Sequence, residues 1–237
     1  MNRILFEKGE IGADGCVRLD DFRAAHILNV LHSEVGDVVR TGEVDGLVGT
    51  SEVVAIDGAC VTLRASHADE APPPAFDLIL APPRPRAMKR LLPQLASLGA
   101  GRIVLVGAQK VEKDFWGATL LKDEIYRPLL IDGLMQSGTA ALPQLLVRRN
   151  FRNFLRDELD SLMPSPRRIV AHPYGAGTPA PHAASQERLT LAVGPEGGWT
   201  DHEVELLEER GFIRYSLGPR ILRTDTALIA LIARLAL

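Results

Sequence analysis

Leu189-Thr190-Leu191-Ala192-Val193-Gly194-Pro195-Glu196-Gly197-Gly198-Trp199-Thr200 decides how the second half of this chain folds. Leu189 to Val193 reads as a buried strand, and the glycines and proline after it break any regular element. A helix follows. Thr200 and Glu203 have the S/T-x-x-E spacing of a capping box, Val204, Leu206 and Leu207 begin an apolar stripe, and Gly211 stands where a helix stops. The same grammar then repeats. Ile213 to Leu217 reads as a strand, Gly218-Pro219 as its turn, and Arg220 to Arg223 lead to Thr224 or Asp225 as the cap of a last helix.

Upstream the rhythm is also strand and helix in alternation. Phe76 to Leu80, Ile103 to Val106, Leu145 to Val147 and Ile169 to Ala171 are short apolar runs. Between the first two, Met88, Leu91, Leu92, Leu95 and Leu98 share a helical face interrupted by Pro93, and Leu120 to Met135 reads as a second helix containing Pro128. Such alternation predicts an α/β fold with a mostly parallel sheet covered on both faces, and ligands of such sheets bind at the carboxyl ends of the strands.

The alternation starts only after Ala68 to Ala75, whose three consecutive prolines suit neither sheet nor helix and mark a domain boundary. The expected domains are therefore residues 1–70 and 71–237. The first reads as mostly β. Asp45-Gly46 and Asp57-Gly58 are hairpin signals between Val38-Val39, Ser51 to Ile56 and Cys60 to Leu63. One helix interrupts them, capped by Asp20 or Asp21, with Phe22, Ala25, Leu28 and Leu31 at helical spacing, and ended by Gly36-Asp37. The expectation is a small barrel with an inserted helix.

Composition bounds the function. A chain of 237 residues, 46% hydrophobic and 24% charged, is ordinary for a protein with a packed core. No signal peptide is read at the N-terminus, and Thr226 to Ala233 is too short to cross a bilayer. Cys16 and Cys60 have neither zinc-ribbon nor disulfide-scaffold spacing, and the six histidines show no metal-ligand spacing. These features predict a cytoplasmic protein with no metal and no membrane. The net charge of −3 argues against nucleic acid as a partner unless the basic residues gather locally.

Glycines at strand ends let a ligand approach the backbone, whose N–H and C=O groups can read a base edge and ribose hydroxyls. Taken singly, each turn is equally well a tight turn and nothing more. No Gly-Lys-Ser/Thr is present and no G-x-G-x-x-G opens a βαβ unit, which excludes a P-loop and a dinucleotide-binding Rossmann site.

Val193 to Trp199, Glu203 and Leu217-Gly218-Pro219-Arg220-Ile221-Leu222-Arg223-Thr224-Asp225-Thr226-Ala227 together resemble the RsmE-type 16S ribosomal RNA uracil-N3 methyltransferases of the SPOUT superfamily. The resemblance extends to Arg3, His26, Val30-Leu31, Leu98-Gly99, Gln136-Ser137-Gly138, Pro143 and His172-Pro173. It implies a PUA-like RNA-binding β-barrel over residues 1–70 and, over 71–237, a SPOUT domain tied in a deep trefoil knot that holds S-adenosylmethionine. The implied cofactor residues are His172, Gly194, Pro195, Glu196, Gly197, Gly198, Leu217, Gly218, Pro219, Ile221 and Leu222. The implied partners are 16S ribosomal RNA or the small ribosomal subunit and a second copy of the chain. A homodimer fits Thr226 to Leu237, which is apolar nearly all round apart from Arg234, although burial within one subunit accounts for it equally. The sequence departs from the family pattern at His32, Ser97, Thr139 and Asp225. The first and third replace arginines of the surface expected to meet RNA.

Methylation at a uracil N3 requires loss of its proton, which places negative charge on the flanking carbonyl oxygens. A guanidinium aimed there stabilises the transition state, and Arg223, beside the second turn, is the candidate. The alternative for Arg223 is a bracing pair with Asp225. Glu196 and Asp225 are nearby carboxylates that could serve as base, cap or brace. Candidate RNA contacts are Arg3, Arg18, Arg23 and His26 in the barrel and Arg84, Arg86, Lys89 and Arg90 in the α/β region, as groups that need only charge and reach. Three other readings stand beside this one: a SPOUT methyltransferase with another RNA nucleotide as target, a non-catalytic RNA-binding protein with a degenerate enzyme domain, and a small-molecule enzyme using an adenosyl cofactor, which scattered basic residues would favour.

Overall fold

The computed structural model describes residues 1–173 and 187–237. Contacts divide the chain into one unit of residues Met1–Pro73 with Pro128–Leu142 and another of Pro74–Arg127 with Pro143–Leu237. The first unit thus takes back a later segment, which a boundary drawn after residue 70 leaves out.

In the first unit β1 (Ile4–Phe6), β2 (Cys16–Leu19), β3 (Val38–Glu43), β4 (Val48–Asp57) and β5 (Cys60–Asp69) form a five-stranded sheet in the order β1-β3-β4-β5-β2. Only the β1–β3 pair is parallel. Both Asp-Gly hairpins form, with Asp45 at φ +56° and Gly58 at φ +62° in the left-handed region that tight turns require. Phe6, Val17, Leu19, Val53, Val61 and Leu63 pack with Ile27 of α1 (Phe22–Asn29) to make the core.

Asp21 caps α1 by accepting the Arg23 N–H. The helix ends at Asn29, short of the Gly36-Asp37 stop expected from sequence. The N–H groups of Val30 and Leu31 both reach back to the His26 carbonyl, so the last turn unwinds. The buried face of α1 is Arg23, Ala24 and Ile27 and not the expected stripe, of which Phe22 is 63% and Leu31 45% exposed. The short strands β1 and β2 were not expected, although Asp14-Gly15, with Gly15 at φ +76°, is a turn signal directly before β2.

The returning segment is held by main-chain bonds. The N–H groups of Asn2 and Arg3 both donate to the Met135 carbonyl, and the Asp45 N–H donates to the Ala140 carbonyl.

The second unit holds β6 (Phe76–Leu80), α2 (Pro85–Ser97), β7 (Ala100–Val106), β8 (Gln144–Arg148), β9 (Arg168–Ala171), β10 (Leu189–Val193), α6 (Asp201–Glu208), β11 (Ile213–Tyr215) and α7 (Thr224–Leu235). The helix α3 (Asp123–Ser137) begins in this unit and continues into the first, with Pro128 at the change. The sheet is parallel throughout, ordered β11-β9-β10-β6-β7-β8. Every residue of β6 and β10 is buried, which is why both read as near-continuous apolar runs.

The capping box of α6 forms as its sequence predicts, and Gly211, at φ +81°, closes the helix with Gly211 N–H to Glu208 and Phe212 N–H to Leu207. Two expectations are corrected, and one stretch that carried none is helical. β11 stops at Tyr215, and the next residue, Ser216, donates its hydroxyl to the Pro173 carbonyl. The N-cap of α7 is Arg223, with no side-chain cap, so Thr224 is its first residue. Residues 151–162, unassigned from sequence, are helical as α4 (Phe151–Asn153), a π turn (Phe154–Glu158) and α5 (Leu159–Leu162).

Candidate functional site

The carboxyl ends of β9, β10 and β11 surround a cavity of about 290 Å³, at the lower edge of the roughly 300–1,000 Å³ usual for small-molecule sites. His172 follows β9 on its wall. Gly194, Pro195, Glu196, Gly197 and Gly198 follow β10, and Leu217, Gly218, Ile221 and Leu222 follow β11. These are ten of the eleven residues nominated for the cofactor; Pro219 is exposed and does not line the cavity. Trp199, Tyr215, Ser216, Arg220, Ala227 and Leu231 line it and were not nominated. Ala227 and Leu231 are one helical turn apart on α7, a signal that only a known helix face would have supplied.

The glycines act by what they lack. A Cβ on Gly194 would lie 2.9 Å from the Trp199 nitrogen, so the turn can fold back on itself only there. Gly218 has φ +116° and Gly198 φ +69°, conformations that side chains resist. Neighbouring loops fix both turns. Lys110 Nζ donates to the Gly197 carbonyl at 2.8 Å, and the Arg84 N–H donates to Glu196 Oε1 at 3.2 Å. Ser216 Oγ donates to the Pro173 carbonyl at 3.1 Å and accepts the Gly218 N–H at 3.2 Å. The His172 N–H donates to the Tyr215 carbonyl at 3.0 Å.

Glu203 is buried and committed. Its Oε1 accepts the Gln109 N–H at 2.7 Å, and its Oε2 accepts the Thr200 N–H and hydroxyl. It ties the loop after β7 to the start of α6.

An adenosyl cofactor suits this wall. Apolar Leu217, Ile221, Leu222 and Leu231 can hold a base and a thioether chain, and two glycine turns present backbone for polar edges. Trp199 is 5% exposed, stacks on Phe151 at 5.3 Å, and its Nε1 is buried without a protein acceptor, a donor available to a bound molecule. Ile221, 75% exposed, is an apolar side chain that a ligand would cover.

Arg223 stands outside the cavity lining with its side chain 77% exposed, and its Nε is 3.8 Å from Asp225 Oδ1. Asp225 Oδ2 lies 3.6 Å from Arg90, so one carboxylate links two guanidiniums.

The residues nominated for RNA separate into two groups. Arg18, Arg84, Arg86, Lys89 and Arg90 are exposed. Arg84 pairs with Glu112 at 2.9 Å, and the bond to that carboxylate raises the Arg84 pKa. Arg3 and Arg23 are engaged within the chain. Arg3 donates to the carbonyls of Gly138, Thr41 and Gly49. Arg23, 9% exposed, donates to Glu10, Asp21 and the Leu5 carbonyl. His26 is half-buried, with Nε2 enclosed and unbonded.

A family model for an RNA methyltransferase domain matches residues 70–236. The chain belongs to this RNA methyltransferase family. Ribosomal RNA small subunit methyltransferase E of Treponema pallidum is 32% identical over 97% of this chain and 88% of its own length. The Bacillus subtilis protein of the same name is 25% identical over 85% of this chain and 82% of its own.

Among solved structures, ribosomal RNA small subunit methyltransferase E of Neisseria gonorrhoeae bound to S-adenosylmethionine matches with a TM-score of 0.77 and 25% identity, covering 98% of this chain and 95% of that one. A Legionella pneumophila protein in complex with the same cofactor matches at 0.76 and 25%, over 99% and 96%. Within this methyltransferase family the five-stranded sheet is the PUA-like barrel and the parallel sheet belongs to the SPOUT domain.

Proposed function

We propose that this chain transfers a methyl group from S-adenosylmethionine to N3 of a specific uridine in 16S ribosomal RNA of the small subunit, acting in the cytoplasm as a homodimer. The observation that carries the reading is the cavity at the ends of β9, β10 and β11, built from both glycine turns and closed by α7. The relatives solved with S-adenosylmethionine bound support the choice of donor.

The cofactor supplies an activated methyl group on a sulfonium, so the protein's work is binding, alignment and charge stabilisation. The turns at Gly194 to Gly198 and Leu217-Gly218 offer backbone to the donor, and Ile221 and Leu222 exclude water beside it. Loss of the N3 proton, to water or a nearby carboxylate, leaves negative charge on N3 and the flanking uracil oxygens, which is consumed as the N3–carbon bond forms and the methyl leaves the sulfonium sulfur. Arg223 stabilises that charge, and Asp225 orients it. Arg90 shares the same carboxylate, which links the basic surface of α2 to the reacting region. Exposed Arg18, Arg84, Arg86 and Lys89 then serve as backbone-positioning cations. The trefoil knot over the two turns is part of the same proposal.

Dimerisation rests on α7. Leu228, Leu231, Ile232 and Leu235 are buried within the chain, whereas Ile229 is half-exposed and Ala233 and Leu237 are exposed. A second copy would cover this remaining apolar face.

The test is transfer of labelled methyl from S-adenosylmethionine to small subunits lacking the modification, followed by nucleoside analysis. Labelled N3-methyluridine is the expected result. Label in another nucleoside would move the target, and absence of both label and cofactor binding would favour a non-catalytic RNA-binding protein.

A further inference from the structure

A second cavity, of about 450 Å³, opens at the carboxyl ends of β7 and β8. Arg149, Arg152 and His202 line it, and they come from two places in the chain. Arg149 directly follows β8, and a Cβ on Gly107, just past β7, would lie 2.1 Å from the Arg149 carbonyl oxygen. Glycine at 107 is therefore what lets the two loops pass closely enough to shape this cavity.

The charges in this wall are not balanced from within. Arg149 donates to the Trp116 carbonyl at 3.0 Å and lies over the Trp116 ring at 5.7 Å, and Arg152 contacts the His202 ring. Among the described residues no carboxylate pairs with either arginine. Glu203 also lines the cavity, but its two oxygens already accept from Gln109 and Thr200. Glu205 approaches only His202, at 3.7 Å. Two arginines stand in this wall against the single carboxylate of Glu203, so it carries an excess of positive charge suited to an external anion, and a phosphate oxygen matches the guanidinium fork.

The two cavities share a wall. Phe151 lines this one, Trp199 lines the cofactor cavity, and their rings stack on each other. We propose that the Arg149–Arg152–His202 cavity is a phosphodiester subsite, which grips the backbone of the substrate RNA beside the nucleotide presented to the cofactor. The inference rests on the RNA methyltransferase reading and deepens it by naming where that strand is held.

The experiment compares wild type with Arg149→Ala/Arg152→Ala, the lysine pair Arg149→Lys/Arg152→Lys, and the single exposed change Arg152→Ala. Binding of a labelled single-stranded RNA oligonucleotide is measured across a salt series without cofactor, alongside KM and kcat on unmethylated small subunits and cofactor affinity by calorimetry. Each lost phosphate contact flattens the log–log salt slope by about 0.7 for a single strand. The double alanine variant should flatten it by about 1.4 and raise KM roughly tenfold or more, with kcat and cofactor affinity within about twofold. The lysine pair should recover most of the loss, since phosphate needs charge and reach. An unchanged slope with unchanged KM in both alanine variants would overturn the subsite. Because RNA binding is read without methyl transfer, this outcome is distinct from failure of the enzymatic reading, which would show as an inactive wild type.

Discussion

Gly218 carries a conformation that few residues tolerate. At φ +116°, replacement by alanine costs about 1–3 kcal/mol in strain at the cavity edge. Gly218→Ala should weaken S-adenosylmethionine binding about tenfold or more by titration calorimetry. The charge-stabilising role proposed for Arg223 predicts a different signature. Arg223→Ala should lower kcat by roughly 100- to 1,000-fold with cofactor affinity retained, because the interaction forms only as charge develops. A third expectation concerns Glu10, whose pKa the hydrogen bond from Arg23 holds below its ordinary 4.5. A carboxyl depressed in the folded state stabilises the protein above its unfolded value, and that contribution disappears as pH falls through the folded one. The Tm advantage of wild type over Glu10→Gln should therefore be full above about pH 4.5 and shrink below it. The turn glycines were legible in sequence because their role is local. Arg3 and Arg23 were not, because a charged side chain advertises solvent and RNA alike until its acceptors are known. The acceptor of Arg3 at Gly138 is 135 residues away.

Elements were legible where the chain writes its own punctuation. The α6 capping box, the Asp57-Gly58 hairpin and the buried strands β6 and β10 follow from spacing alone. β1 and β2 are three and four residues long and exist through pairing with distant strands, so no local period announces them. The helical stretch 151–162 does carry its own signal, with Phe151, Phe154, Leu155 and Leu159 at helical spacing behind an Asn150 cap, and it went unassigned because it is short and contains a π turn. The capping box also yields a prediction. Thr200→Ala removes the hydroxyl that caps α6 and a donor to Glu203 Oε2, and should cost about 0.5–2 kcal/mol in urea denaturation. Cofactor affinity should fall with it, because Glu203 also holds the Gln109 loop.

At the scale of the molecule, the parallel sheet was readable from alternation, and its carboxyl edge does hold the cavity. The remaining apolar face of α7 makes association testable. Under the proposed homodimer, Ala233→Glu should shift the protein from dimer to monomer in sedimentation velocity, with Tm reduced by only the lost association, since Ala233 is exposed in the single chain. What the sequence concealed was the discontinuity of the first unit, because the proline-rich bridge marks where the chain leaves and nothing comparable marks where it returns.

That return imposes an order on synthesis. When Pro73 leaves the ribosome all five strands of the first sheet exist, yet the Arg3 guanidinium still lacks Gly138 and the Asn2 and Arg3 amides still lack Met135. These groups stay without those partners until Gly138 emerges, by which time β6, α2 and β7 have already been made. A gene fragment ending at Pro73 would encode every strand of the barrel and still yield a polypeptide waiting for its last ligands.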